Sequence, residues 1–130
     1  MIRGLRGAVR AGLNEKAAIL EATSELLSEM VLRNQISPDR IASIFFTATP
    51  DLNAVFPAEA TRGMGPGWNG VPLLCAQEIE VPGSMDRIIR VLMHVNWEEG
   101  MGQPAHVYLR ETSALRPDLE TCNLKWSGAT

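Results

Sequence analysis

Cysteine, histidine and lysine are scarce in this 130-residue chain, and their scarcity excludes several kinds of site. The two cysteines, Cys75 and Cys122, show neither metal-ligand nor redox spacing. The two histidines, His94 and His106, form no H-E-x-x-H motif, so we expect no zinc centre. The P-loop lysine motif and the G-x-S-x-G elbow are also absent, and no nucleophile is accompanied by a base.

Long hydrophobic runs are missing as well. No apolar segment approaches the ~20 residues that a membrane-spanning helix needs. The first predicted strand begins at Ile2, so we expect no signal peptide and predict a cytoplasmic protein with reduced thiols. The net charge of −3 argues against nucleic acid as a partner, because phosphate binding usually requires a basic surface.

The hydrophobic pattern predicts strands and helices in the order β-α-β-α-β-β-β. Strands are expected at residues 2–9, 41–47, 71–79, 87–95 and 105–110. A long helix is expected to begin after the N-cap Asn14 and to end near Asn34, because apolar residues recur there with helical spacing. A short second helix is expected at residues 56–62, with Pro57 at its first position.

This order favours an α+β fold with a mixed β-sheet of about five strands and the helices packed on one face. We expect residues 1–119 to form a single domain and residues 120–130 to form a mobile, polar tail. The other face of so small a sheet would lie open. Oligomerisation is a common way to cover such a face.

Arg90 interrupts the run Ile88–Val95, which otherwise predicts a core strand. A buried guanidinium is costly without a partner, and its planar fork of donors suits carboxylates. Glu78, in the preceding apolar stretch, is the nearest upstream carboxylate. The two residues form either a buried ion pair without function or part of an anion-binding site, and their positions alone do not decide between these alternatives.

Other polar residues stand where they would complete such a site. Arg6 lies at a strand end, Arg62 at the end of the short helix, Arg116 in the tail and Tyr108 on the last strand. Arg6, Arg62 and Tyr108 also have plain structural explanations, respectively as a surface cation, a partner of the helix dipole and an amphipathic residue at the edge of the core. Cys75, taken alone, is most often a small buried hydrophobe.

Cys75 and Glu78 are three residues apart, so a regular strand directs them to opposite faces. Either a bulge intervenes or only one of them points into the site. Together the candidates describe a cationic pocket with one carboxylate, one phenol and one thiol. Such a pocket binds a dianionic small molecule and stabilises developing negative charge without covalent chemistry.

Several segments, taken in order, resemble the monofunctional chorismate mutases of the trimeric α/β type. These segments are Ile2–Ala8, Thr47–Ala58, Val71–Glu78, Ile88–Val91, His106–Leu109 and Leu115–Leu119. The resemblance implies a homotrimer with a central barrel-like β core and active sites at the subunit interfaces. It also implies the Claisen rearrangement of chorismate to prephenate in aromatic amino-acid biosynthesis, a pericyclic step that needs no nucleophile, metal or cofactor.

The resemblance further implies roles for individual residues. Arg90 would lie at the ether oxygen, where negative charge grows as the C–O bond breaks, and Glu78 would accept a hydrogen bond from the substrate hydroxyl. Arg6 and Tyr108 would hold a carboxylate. Leu74 and Cys75 would line the pocket, with Cys75 near the hydroxyl. Apolar walls would come from Phe56, Leu73 and Leu115, and Arg62 and Arg116 would lie near the entrance. The tail would act as a lid.

Two features depart from that family. Glu59 stands where some members carry a basic residue near the entrance, and the loop at residues 63–70 is unusually rich in glycine. Two other functions remain open. Hydrolysis of an imino acid would favour an imine deaminase on a similar trimer, and tight chorismate binding without turnover would favour a regulatory module that binds carboxylates.

Overall fold

Five strands form one mixed β-sheet in the computed structural model, which describes residues 1–115. The strands are β1 (Ile2–Arg10), β2 (Ile41–Ala48), β3 (Leu73–Gln77), β4 (Ile88–Asn96) and β5 (Val107–Tyr108). Their order in the sheet is β3-β2-β4-β1-β5. β4 pairs antiparallel with β1 and β2, whereas the β1–β5 and β2–β3 pairs are parallel. The predicted mixed sheet is confirmed, and the predicted tail lies outside the described residues.

One α-helix, α1 (Lys16–Arg33), covers one face of the sheet. Its buried side chains recur with helical spacing: Ile19, Ala22, Thr23, Leu26, Leu27 and Met30. The prediction of Asn14 as the N-cap is wrong, since Glu15 takes that position without a side-chain cap. Asn14 Oδ1 instead accepts hydrogen bonds from the backbone N–H groups of Asn53 (3.0 Å) and Ala54 (3.1 Å). The segment before the helix is therefore tied to the loop after β2.

β1 lies unusually close to α1 at Gly7. A Cβ atom on Gly7 would lie 2.5 Å from Met30 Sδ and 3.1 Å from Leu26 Cδ1. Because a protein core is close-packed, a larger residue at this position would require the helix side chains to shift. The missing side chain thus allows α1 to pack closely against β1. The opposite face of this strand carries Arg6 and Ala8.

The shorter predicted elements differ from the structure in length or kind. The predicted second helix is a 3-10 helix, Pro57–Gly63, with Pro57 at its first position. The third predicted strand is limited to Leu73–Gln77 and the fifth to Val107–Tyr108. The last strand is short because Arg110 has a left-handed φ of 49°, which is incompatible with continued strand pairing.

The glycine-rich loop buries Trp68 and contains a short 3-10 helix, Pro66–Trp68. Residues 65–70 match the spacing G-x-G-x-x-G. That motif binds dinucleotides when it follows a strand and opens a helix, whereas here it follows one 3-10 helix and precedes β3. The match therefore has no functional context.

The two faces of the sheet differ in what covers them. Toward α1 the strands bury a core that includes the fully buried side chains of Ile44, Phe46, Ile89 and Met93. The opposite face is termed the open face, and it exposes apolar residues in the single chain: Ile2 (50%), Phe45 (45%), Leu74 (56%) and Leu92 (38%). No helix among residues 1–115 is long and apolar enough to cross a bilayer.

Candidate active site

One row of residues crosses all five strands on the open face. The register pairs Thr47 with both Ala76 and Arg90, and it pairs Ala8 with both Arg90 and Tyr108. Residues directly opposite one another in neighbouring strands have adjacent side chains on the same face. The row therefore places the predicted site residues Arg90 and Tyr108 on either side of a small alanine.

Arg90 and Glu78 form an ion pair on this face. The Nε–H of Arg90 donates to both carboxylate oxygens, at 3.1 Å to Oε1 and 3.0 Å to Oε2. The hydroxyl of Thr47 donates to Oε2 as well, at 2.7 Å. Within residues 1–115, neither Nη group of Arg90 makes a hydrogen bond, so the outer edge of the guanidinium is available to a ligand.

The expectation that Arg90 is buried is wrong for the single chain. Its side chain is 44% exposed, whereas that of Glu78 is 15% exposed. The reason lies in the alternation of β4, in which Ile89 and Val91 are buried toward α1 and Arg90 projects from the open face. The apolar content of the run concealed this alternation, because Leu92 on the open face is apolar too.

A cavity of about 320 Å³ lies against this row and is termed the cationic cavity. It is lined by Arg6, Gly7, Ala8, Phe45, Thr47, Arg90, Val91, Leu92 and Tyr108. No ion pair joins Arg6 to another residue between 1 and 115, whereas Arg90 has one carboxylate partner. Two cations and one carboxylate give the cavity an excess of positive charge, which suits an anionic ligand.

A second cavity, of about 340 Å³, lies at the edge strand β3 and is termed the edge cavity. It is lined by Phe56, Ala58, Glu59, Thr61, Arg62, Leu73, Leu74 and Cys75. It shares no lining residue with the cationic cavity. The predicted apolar walls Phe56 and Leu73 are therefore separate from Arg6 and Arg90 in one chain, whereas Arg62 lies with the walls in the edge cavity.

Cys75 and Glu78 lie on opposite sides of the sheet. Cys75 pairs in register with Phe46, which is fully buried, whereas Glu78 is bonded to Thr47 on the open face. The β2–β3 register runs without interruption over Leu73–Gln77. The alternative of a bulge is thereby excluded, and within one chain only Glu78 belongs with Arg90.

The environment of Cys75 disfavours a reactive thiolate. Burial raises the pKa of the Cys75 thiol, the carboxylate of Glu59 raises it further, and a hydrogen bond with the backbone of Ala58 acts in the opposite direction. Only the thiolate is strongly nucleophilic. The half-buried thiol thus contributes shape and polarity to the edge cavity rather than covalent chemistry.

Glu59 places a carboxylate in the edge cavity beside an arginine that faces solvent. Arg62 Nη1 lies 3.4 Å from Glu59 Oε1, and the Arg62 side chain is 80% exposed against 29% for Glu59. Exposed ion pairs of this kind are weak, because water screens them. Glu59 therefore retains much of its negative field within the cavity.

Two predicted residues lie at the C-terminal end of the described chain or beyond it. Leu115 ends the 3-10 helix Thr112–Leu115, is half-buried and lines neither cavity, while Arg116 lies outside the described residues. Sequence reasoning missed Thr47 and Ala8 as members of the site. The only available signal was alternation along β1 and β2, since neither residue type stands out chemically.

Comparisons with known proteins show the family of this chain. The family described as "Chorismate mutase type I" matches residues 2–119. Chorismate mutase AroH of Thermus thermophilus is 48% identical over 122 residues, covering 93% of this chain and 98% of that protein. Chorismate mutase AroH of Bacillus subtilis is 42% identical over 119 residues, covering 92% and 93%. A solved chorismate mutase from Clostridium thermocellum superposes with a TM-score of 0.81 at 43% identity, covering 86% of this chain and 98% of that one. This chain belongs to the type I chorismate mutase family.

Proposed function

We propose that this chain converts chorismate to prephenate by a one-step Claisen rearrangement, in aromatic amino-acid biosynthesis, and that the cationic cavity binds the charged part of the substrate. The observation that carries the proposal is the fixed guanidinium of Arg90. Among the described residues, the side chain of Arg90 donates only from Nε, to Glu78. Both Nη groups are therefore left for a ligand. A pericyclic step needs positioning and charge stabilisation, and this geometry supplies both.

Arg90 acts on the bond that breaks. As the C–O ether bond lengthens and the new C–C bond forms, negative charge grows on the ether oxygen. A donor that is already oriented stabilises this charge more than it stabilises the neutral ether of the ground state. Because Glu78, itself held by the hydroxyl of Thr47, fixes the guanidinium from behind, little reorganisation accompanies the step.

Glu78 holds the substrate hydroxyl in this proposal. A carboxylate offers about four acceptor positions on its two oxygens. Oε2 accepts from both Arg90 and Thr47, whereas Oε1 accepts from Arg90 alone among the described residues. Oε1 therefore has capacity for the hydroxyl, and Arg6 and Tyr108 at the other side of the cavity bind a carboxylate of the dianion.

The edge cavity supplies apolar walls from a neighbouring copy. Phe56 is 68% exposed in the single chain and lies with Leu73, Leu74 and Cys75, none of which reaches the cationic cavity of the same chain. We propose a homotrimer in which the edge cavity of one subunit meets the cationic cavity of the next. The walls then favour the compact conformer of the substrate, and assembly covers the apolar open face.

The entrance and the C-terminal segment complete the proposal. The exposed Arg62 attracts the dianion at the rim, and Arg116 is assigned the same role from the family resemblance. Leu115 is assigned an apolar wall and the segment after it a lid. Arg116 and the segment after it lie outside the described residues.

The decisive experiment is the loss of ultraviolet absorbance of chorismate on addition of purified protein, with prephenate identified as the product. We expect turnover without added metal or cofactor. Light scattering on the same sample should give the mass of three chains. A folded protein that binds chorismate without converting it would contradict the proposed reaction and favour a regulatory role, and a monomer with full activity would contradict the shared site.

A further inference from the structure

Arg10 connects the loop that carries Glu78 with the turn that follows Tyr108. It is the last residue of β1, two positions after Ala8, which lines the cavity. Its Nη1 donates to Glu111 Oε2 at 2.8 Å, and its Nη2 donates to Asp86. The side chain is only 25% exposed, so the guanidinium is held between its two partners.

The two partners belong to segments that carry site residues. Glu78 directly follows β3 and begins the loop that leads to β4, and Asp86 lies near the end of that loop. Glu111 lies in the turn that follows Tyr108 and leads into the C-terminal 3-10 helix. A single fork of donors thus joins the loop of Glu78 to the turn after Tyr108.

The turn at Glu111 needs outside support for its conformation. Arg110 and Glu111 both have left-handed φ angles, 49° and 71°, which are uncommon for residues other than glycine. Such conformations persist where the surroundings over-determine them. Three contacts do so here, namely Arg10 to Glu111, Arg110 Nη2 to Glu25 Oε2 (2.8 Å), and the buried Thr112 Oγ1 to the carbonyl of Ala8 (3.1 Å).

The charges of the Arg10 cluster reinforce one another. The hydrogen bond from Arg10 lowers the pKa of Asp86, and the hydrogen bonds to Asp86 and Glu111 raise the pKa of Arg10. The Nε–H of Arg10 is buried and has no partner within residues 1–115. The buried Nε–H is a cost that a surface cation placed only for solubility would avoid.

We propose that Arg10 is a positioning residue, which clamps the Glu78 loop and the turn after Tyr108 in the geometry that the reaction requires. This inference rests on the proposed function. Arg10 acts through Glu78 and Tyr108 and does not itself touch the substrate. The clamp sets how often the Glu78 loop and the turn after Tyr108 are in place together. Its loss therefore lowers kcat/KM, while Tm falls no more than on loss of a comparable surface contact.

The chain offers a closely matched control at the far end of the sheet. Arg40 donates from Nη1 to Glu98 at 2.7 Å and from Nη2 to the carbonyl of Asn96 at 3.0 Å. Its side chain is 28% exposed and that of Glu98 68%, against 25% and 66% for Arg10 and Glu111. Arg40→Gln therefore removes a comparable contact beside the last residue of β4, whereas Arg10 pairs with its first.

The test compares Arg10→Gln with Arg40→Gln by kinetics, thermal melting and amide hydrogen exchange. We expect Arg10→Gln to lower kcat/KM roughly 10-fold, as a small misplacement of reacting groups does, with a Tm shift similar to that of Arg40→Gln. The amides of Leu109 and Thr112 should exchange faster only in Arg10→Gln. Arg10→Lys, which retains one charge but not the fork, should recover part of the loss.

A second set of variants keeps the test informative if Arg10→Gln folds poorly. Asp86→Asn and Glu111→Gln each open one side of the clamp, so their combined effect on kcat/KM should be smaller than the product of the single effects. Equal kinetics and exchange in Arg10→Gln and Arg40→Gln, or independent effects of the two carboxylates, would overturn the clamp. Absence of turnover in the wild-type protein would instead overturn the proposed function, and hydrogen exchange alone would then decide whether Arg10 orders the two segments.

Discussion

Thr47 lies directly opposite Arg90 in the antiparallel pair of β2 and β4, and its hydroxyl donates to the carboxylate that Arg90 also holds. Glu78 is thus fixed from two neighbouring strands at once. A carboxylate held by a cation and a hydroxyl has a defined orientation, which is what a group needs when it must present one oxygen to a substrate.

Thr47→Val is expected to lower kcat roughly 10-fold, because a hydrogen bond to a charged group typically contributes about 1.5–3 kcal/mol. The substitution keeps the shape of the side chain and leaves the ion pair intact. Thr47→Ser restores the hydroxyl and should recover most of the rate. Steady-state kinetics of the two variants measure this, and equal rates in both would show that the hydroxyl is not needed.

Arg90→Ala is expected to lower turnover at least ~10²–10³-fold, the cost of losing one preorganised donor at a site of developing charge. Arg90→Lys should also be slow, because an ammonium cannot hold Glu78 and the substrate in one plane. Both variants should remain folded, since the Arg90 side chain is 44% exposed in the chain. The absorbance assay and a thermal melt test this, and near-normal turnover in either variant would remove Arg90 from the reaction.

Glu59→Gln is expected to lower the KM for chorismate several-fold, since it removes a negative charge from the proposed binding surface of a dianion. Glu59→Lys should lower KM further. The difference between variants should shrink as salt is added, because the Debye length falls to ~10 Å at 0.1 M. A KM that is the same for wild type and both variants at low salt would place Glu59 outside the substrate's field.

Cys75 should make stability depend on pH at the alkaline end. Its folded-state pKa is raised above the ordinary thiol value of 9.0 by burial. The protonated thiol therefore makes its full contribution to the free energy of unfolding at pH values below the unfolded-state pKa. This contribution is lost as the pH rises through the folded-state pKa. Urea unfolding at a series of pH values between about 8 and 10 should show a steeper decline for wild type than for Cys75→Ala. Parallel curves would mean that the thiol titrates alike in both states.

Two inactive variants should restore activity to each other if the site is shared between subunits. Arg90→Ala disables the cationic cavity, and Phe56→Asp places a repelling charge in the edge cavity at a side chain that is 68% exposed. After joint refolding in equal amounts, about one quarter of the interfaces would combine two intact halves. Arg90→Ala refolded with the double variant Arg90→Ala, Phe56→Asp is the control and should stay inactive. Failure of the first mixture, with hybrids demonstrated by mass, would place both halves in one subunit.

The sequence predicted those features that depend on neighbours in the chain. The alternation over Ile41–Ala48 and Ile88–Asn96 and the apolar stripe of α1 report the local backbone, and each was found close to its expected bounds. The helix N-cap was wrong because Asn14 bonds to Asn53, a residue that only the folded chain brings near. The shortness of β5 was not foreseeable from composition, since it follows from the left-handed backbone at Arg110.

The residues of the candidate site were predicted only in part, because some of them are brought together by the pairing of distant strands. Residue types and the family resemblance identified Arg90, Glu78, Arg6 and Tyr108, which the structure brings to one region. The register that seats Thr47 and Ala8 among them depends on the pairing of distant strands, which periodicity does not contain. The family resemblance likewise did not distinguish the two cavities, because it assigned the cationic residues and the apolar walls to a single pocket.

Ala8 is a position at which the size of the site can change during evolution or in the laboratory. Its side chain separates Arg90 from Tyr108, while its carbonyl accepts from the N–H of Leu109 (2.9 Å) and from Thr112 Oγ1 (3.1 Å). A change of the side chain at this position therefore alters the cavity volume and keeps the two hydrogen bonds of the Ala8 carbonyl, which position Leu109 and Thr112. A library that seeks larger or smaller substrates would begin at this position, where replacement by glycine enlarges the cavity and replacement by valine fills it.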